Sequence, residues 1–373
     1  MKKYLIVASN ERSYLDLKNI VLELKKRNLP YLFLYSTSSE RLFPATALDQ
    51  FNYDTNIESE KQYPSKTLGF NLPFKPDVLL ITNENWEPEK GILWEFKQWG
   101  TFIGCVENSS WMHNNIKCKL EIASRKSFPT NCIDIFFEHS KWGLESKVIS
   151  GWWKQKSIVV GNPKFDDFTY TKQKLENISI VYGSMEIEHH NKILDIYKQI
   201  SNNSPNWEIY YKPHPTELID FKDDFENVNL ITNNNDFLDI VSRSKHNIGI
   251  FSSIMYYPLL MGKNVISLEH SSVGIDEELN IETFKGYKFN FWKRILGFET
   301  FEEFSNFIGE DFIKNIKIRN EKLTKDISLN LATYNEDCIL MEPSSNNKNV
   351  ISYFDEFNDN NASKRIINYI ENE

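Results

Sequence analysis

Short, almost wholly apolar runs alternate along this chain with longer amphipathic stretches. Tyr4 to Ser9, Tyr31 to Tyr35, Asp77 to Thr82, Thr101 to Glu107, Ile133 to Glu138 and Ile158 to Val160 are such runs. They are too short for helices and too apolar for half-exposed strands, so they read as strands covered on both faces. Helical spacing lies between them, over Tyr14 to Lys26, Glu87 to Trp99 and from Ser140 onward. The polar region reaching about Lys75 predicts a loop excursion or a short extra hairpin.

After the Gly161-Asn162-Pro163 turn the alternation starts again. Strands are predicted at Ile178 to Tyr182, Trp207 to Tyr211, Val228 to Ile231, Asn247 to Phe251 and Val265 to Glu269. Helices are predicted at Asn191 to Ile200, Asp236 to Arg243 and Ile254 to Met261, then at Phe301 to Ile308, Phe312 to Ala332 and Ala362 to Ile370. Repeated βα units of this kind predict an α/β chain with two doubly wound parallel sheets and a ligand cleft between them. The polar stretch Lys164 to Asn177 reads as the linker, giving domains of 1–165 and 166–350. A closing segment, 351–373, is free to pack back on the first domain.

Composition narrows the classes. At 373 residues, 40% hydrophobic and 14% aromatic, the chain suits two well-built cores. A formal net charge of −9 argues against nucleic acid as a partner. The four cysteines show no zinc spacing, and Cys105 and Cys132 fall in strand-like runs where buried reduced thiols are expected. The start is charged and then apolar, but its apolar run is too short for a leader, so it reads as a first strand. No run approaches the ~18 apolar residues of a membrane span. A cytoplasmic protein is expected. Trp152-Trp153-Lys154-Gln155-Lys156 and Phe289 to Arg294 suit a membrane interface or, preferably, core packing with snorkelling cations. Peripheral association with the inner membrane stays open.

The chemistry-bearing residues gather at strand ends. Lys212-Pro213-His214-Pro215 follows an apolar strand, where two prolines fix the backbone around a histidine and a lysine adds a cation. Ser252-Ser253 ends another strand and opens a predicted helix, so hydroxyls and free amides would converge on an anion. Gly183-Ser184 ends a third, permitting either close approach to a ligand or a tight turn. Glu269 stands where it could accept from a ribose or sugar hydroxyl, or pair with a cation.

In the first half, Glu107 and then His113 are the candidates for a general base, with Asn108 and Ser109 beside them. Glu138-His139 closes the neighbouring strand on the same acceptor side. Asp166-Asp167 and Asp223-Asp224 read as solvent-facing, and His189-His190 lacks a partner at ligand spacing, so no metal site is expected. Neither GxGxxG nor a P-loop occurs.

Lys212-Pro213-His214-Pro215 with Ser252-Ser253 resembles the His-Pro and Ser-Ser motifs of bacterial sialyltransferases and capsule Kdo transferases. It also resembles the matching loops of CDP-glycerol glycerophosphotransferases. Gly161-Asn162-Pro163-Lys164-Phe165-Asp166, Met261-Gly262-Lys263-Asn264-Val265-Ile266 and Asp359 to Ile366 are similar to runs of the same surface-polysaccharide enzymes. The resemblance implies a GT-B fold of two Rossmann-like domains, with the donor nucleotide on the second and the acceptor on the first.

It also implies that His214, Ser252 and Ser253 contact the donor's phosphates. Asn264 stands where those families carry proline, and Tyr256-Tyr257-Pro258 where they often carry an acid that grips the ribose. Val106-Glu107-Asn108-Ser109 is similar to a run of non-hydrolysing UDP-GlcNAc 2-epimerases, which share the fold.

The expectation is therefore a metal-independent transferase with no cofactor. It would use a CMP- or CDP-linked donor, with UDP less favoured, and a glycan or lipid-linked glycan acceptor. Lys212, His214, Pro215, Ser252, Ser253, Gly183, Ser184 and Glu269 would hold the donor. The alternatives are an epimerase-like enzyme and a non-catalytic binding subunit of the same shape.

Overall fold

The computed structural model describes residues 1–36, 51–57, 61–82, 87–107, 132–149, 156–171, 173–183, 190–214, 217–218, 222–249, 253–267, 351–352 and 355–373. The chain divides into two compact units, one of residues 1–168, 292–308 and 352–373, the other of 169–291 and 309–351.

In the first unit, β1 (Tyr4–Ala8), β2 (Tyr31–Tyr35), β6 (Val78–Ile81), β7 (Phe102–Val106), β8 (Ile135–Glu138) and β9 (Ser157–Val159) form a parallel sheet. The order is β3-β2-β1-β6-β7-β8-β9, with β3 (Asn52–Thr55) antiparallel on the edge. Every residue of β1 and β6 is buried, which is why these strands read as unbroken apolar runs. The hairpin expected before Lys75 is β4 (Tyr63–Ser65) with β5 (Phe70–Leu72).

Helices cover both faces. On one, α1 (Glu11–Lys26) packs Leu17, Ile20 and Leu24 against Tyr4, Ile6 and Leu80. On the other, Ile92, Leu93 and Phe96 of α2 (Glu87–Gln98) meet Leu5, Leu79 and Ile103. The α1 helix starts at Glu11, before the predicted Tyr14, because Asn10 caps it by accepting the Ser13 N–H at 2.9 Å. After β8 comes α3 (Lys141–Ile149).

The turn after β9 and the last helix, α7 (Ala362–Asn372), form a clasp. Asp166, expected in the linker and facing solvent, accepts the first amides of α7, Ala362 N at 2.9 Å and Ser363 N at 2.6 Å. Asp167 pairs with Lys18 at 2.8 Å and accepts from Asn19 at 2.8 Å. Arg365 donates to Val160 O at 2.7 Å and to both oxygens of Asp359. Gly161 has φ +88°, and a Cβ there would lie 2.8 Å from Asp355 and 3.0 Å from Arg365. Two motifs far apart in sequence thus meet, and the start of the expected linker belongs to the first unit's core.

In the second unit, β10 (Ile178–Tyr182), β11 (Glu208–Lys212), β12 (His246–Gly249) and β13 (Asn264–Ser267) are parallel in the order β11-β10-β12-β13. Its core joins Ile193, Tyr197 and Ile200 of α4 (His190–Asn203) to Val181, Tyr211 and Ile248. α5 (Asn234–Arg243) precedes β12. The strand predicted at Val228 to Ile231 reduces to a single parallel bridge, Tyr211 to Leu230, after Asn227 takes φ 64°.

The predicted helix Ile254 to Met261 is shorter as well. Ser253–Met255 tightens into a 3₁₀ turn, and α6 covers only Tyr256–Leu260. The predicted helices at 301–308 and 312–332, and the aromatic clusters at 152–155 and 289–294, lie outside the described residues.

Candidate donor-phosphate site

All four strands of the second sheet end on one edge. Tyr182 is in register with Lys212 on one side and Gly249 on the other, and Gly249 with Ser267. The chain reverses direction across the sheet between β10 and β12. Open parallel sheets bind ligands at such a switch point, beyond the carboxyl ends of the strands. Gly183, Lys212, His214 and the backbone of Ser253 are brought to this edge.

Beyond β11 the chain is held by a residue the sequence reading missed. His214 donates its backbone N–H to Glu217 Oε2 at 2.7 Å, and its carbonyl accepts from Glu217 N at 3.0 Å. Glu217 Oε1 accepts the Tyr211 hydroxyl at 3.0 Å and faces His190 Nδ1 at 3.0 Å. The other ring nitrogen of His190 lies 3.2 Å from Asp224 Oδ2. The only hints in sequence were a carboxylate three residues after His214 and a histidine at a helix start. His190's partners lie 27 and 34 residues away, so spacing could not reveal them.

The glycine is explained by the same carboxylate. Gly183 donates its N–H to Lys212 O at 2.9 Å, and a Cβ on it would lie 1.7 Å from Glu217 Oε2. The close approach at Gly183 is that of Glu217.

Electrostatically, burial lowers the pKa of the half-buried His214, with Glu217 opposing and Lys212 reinforcing the shift. Near neutral pH its imidazole is therefore uncharged and offers one ring N–H, and the cation beside it is Lys212. The backbone of Ser253 opens a 3₁₀ turn, Ser253–Met255, that leads into a helix of only five residues. Ser184, Pro215, Ser252 and Glu269 lie outside the described residues.

In the first unit too, polar side chains sit at the strand ends. Ser9, Ser36, Thr82, Glu107, Ser140 and Asn162, which follow successive parallel strands, are all buried. Glu107 is 3% exposed and its Oε2 accepts the His139 N–H at 2.7 Å. Gly143 leaves the room: a Cβ there would lie 2.8 Å from Glu107 Oε1. Glu107 thus ties β7 to the start of α3, and Glu138 and His139 beside it are buried as well. Asn108, Ser109 and His113 lie outside the described residues.

A second missed residue is Asp16 on α1. It is buried, Oδ2 has no hydrogen-bond partner among the described residues, and burial pushes its carboxyl up to about 6 against the pull of Lys164 and Arg12.

Among the described residues no group of three or more His, Cys, Asp or Glu side chains is placed to hold a metal ion. Cys105 and Cys132 are buried thiols. No described helix is long and apolar enough to cross a membrane.

No protein-family model matches the chain, and no curated protein matches it in sequence. Solved structures do. A UDP-GlcNAc 2-epimerase from Neisseria meningitidis, bound to UDP-GlcNAc, matches over 100% of both chains at 14% identity with a TM-score of 0.55. A UDP-N-acetylglucosamine 2-epimerase structure matches over 98% of this chain and 95% of its own, at 13% identity and a TM-score of 0.47. The wall teichoic acid polymerase TagF, soaked with CDPG, matches over 87% and 89% at 12% identity and a TM-score of 0.48. The first fixes the fold, and the other two are too distant to add to it. The fold is of the GT-B class, built from two Rossmann-like units.

Proposed function

We propose that the protein is a nucleotide-dependent transferase of bacterial surface-polysaccharide assembly. It moves a sugar, or a polyol phosphate, from a CMP- or CDP-linked donor to a hydroxyl of a glycan or lipid-linked glycan. The observation that carries this reading is the meeting of Lys212, His214 and Gly183 at the switch point of the second sheet. Negative charge grows on the leaving phosphate as the donor bond breaks, and prepositioned donors and cations stabilise it most where water is scarce. Lys212 supplies the charge, in the role a divalent metal would otherwise fill. The uncharged His214 supplies a ring N–H, and the Ser253 turn supplies backbone amides. A general base takes the proton of the acceptor hydroxyl.

The test is acceptor-dependent release of free nucleotide from a panel of CMP-, CDP- and UDP-linked donors. His214→Ala should lower turnover by roughly 10²-fold or more while the circular dichroism spectrum stays that of the wild type. Wild-type turnover in that variant removes His214 from the mechanism. Conversion of UDP-GlcNAc without an acceptor would identify an epimerase instead.

A further inference from the structure

Glu217 joins four segments of the second unit. Its Oε2 accepts from His214 and fills the space a side chain on Gly183 would need. Its Oε1 takes the Tyr211 hydroxyl and faces His190. His190, the first residue of α4, is fully buried, and its ring stands edge-on to Phe225, 5.6 Å between centroids at 88°. Beyond it, the half-exposed Asp224 closes the chain of contacts.

A carboxylate with 1% of its surface exposed is costly to bury and persists only where donors meet its charge. An apolar side chain of similar size would fill the volume without that cost. It could not, however, accept the His214 N–H. The backbone N–H, the hydroxyl and the imidazole around Glu217 also offset a charge that would otherwise oppose an anion nearby.

We propose that Glu217, oriented by His190, is the positioning residue of the phosphate-binding loop. It fixes the backbone at His214, so that Lys212 and His214 meet a nucleotide's phosphates without first being ordered, and preorganisation of that kind lowers the cost of binding. This inference rests on the donor-site reading above.

The experiment is calorimetric titration of CMP, CDP and UDP, each against its own nucleoside. The wild type should bind the preferred nucleotide about tenfold or more tightly than the nucleoside. Glu217→Ala should erase most of that preference while leaving nucleoside affinity unchanged, because only the phosphate contacts run through the loop. Glu217→Gln, which can still accept the His214 N–H, should restore much of it. Equal weakening of nucleotide and nucleoside, or an unchanged preference in Glu217→Ala, overturns the proposal.

His190→Ala keeps Glu217 and should reduce the preference about threefold. It decides the matter if Glu217→Ala does not fold, and an unchanged preference in it is equally fatal. Lys212→Ala separates the two readings. If it loses the preference and the Glu217 and His190 variants keep it, the donor site stands and Glu217 is structural. A wild type that binds no nucleotide better than its nucleoside overturns both.

Discussion

Asp16 sits in the second turn of α1 with 3% of its surface exposed and with one oxygen that has no hydrogen-bond partner among the described residues. Burial raises its carboxyl to about 6, and burial likewise lowers the ammonium of Lys164, each partly corrected by the other's charge. Because the folded value lies above the unfolded one, the folded state holds a proton that the unfolded chain releases first. Asp16 therefore favours folding most below the ordinary carboxylate value and loses that contribution as pH rises from about 4 to about 6. The size is on the order of 3 kcal/mol for a carboxyl raised to about 6. Urea unfolding of the wild type and Asp16→Asn at pH 4, 5, 6 and 7 should show a stability difference that changes across this window in the variant's favour. A difference that does not vary with pH would contradict the placement.

At this scale the sequence exposed part of the site and hid its supports. Lys212 and His214 stood out because two flanking prolines are unusual at a plain turn, whereas Glu217 and His190 act through partners that no local pattern reveals.

The elements were legible where one local force decides them. Strands β1, β6 and β10 are buried throughout, so their composition alone marks them. Boundaries set by caps or by distant partners were not legible. The first turn of α1 is polar and carries no apolar period, so the Asn10 cap and not the pattern sets its start. β3 is a polar, largely exposed segment made a strand only by pairing with β2.

The start of α7 is the extreme case, because its cap comes from Asp166, 196 residues away in sequence, while the side chain of Asn361 at the capping position makes no capping bond to the helix. A carboxylate on the first amides of a helix typically contributes about 1–2 kcal/mol. Asp166→Ala should lower the urea unfolding free energy by about that amount and leave nucleotide affinity unchanged. A loss under about 0.5 kcal/mol would place the clasp among ordinary surface contacts.

On the scale of the whole molecule, the chain builds two units, each with a doubly wound parallel sheet and its own core. The repeated alternation of apolar runs and amphipathic stretches made this plan readable. The proposed donor chemistry rests on the second unit, where the resemblance had motifs to rest on. Both sheets gather polar groups at their strand ends, but the cation and the uncharged histidine belong to the second.

The central claim is that this edge of the second sheet binds the phosphates of a nucleotide. It is met most directly by titrating CMP, CDP, UDP, GDP and ADP into wild-type protein and Lys212→Ala at two ionic strengths. The account predicts that a cytidine nucleotide binds the wild type, more weakly at high salt, and that Lys212→Ala loses about tenfold or more in affinity. Absence of binding to any nucleotide, or equal affinity in the two proteins, would contradict it.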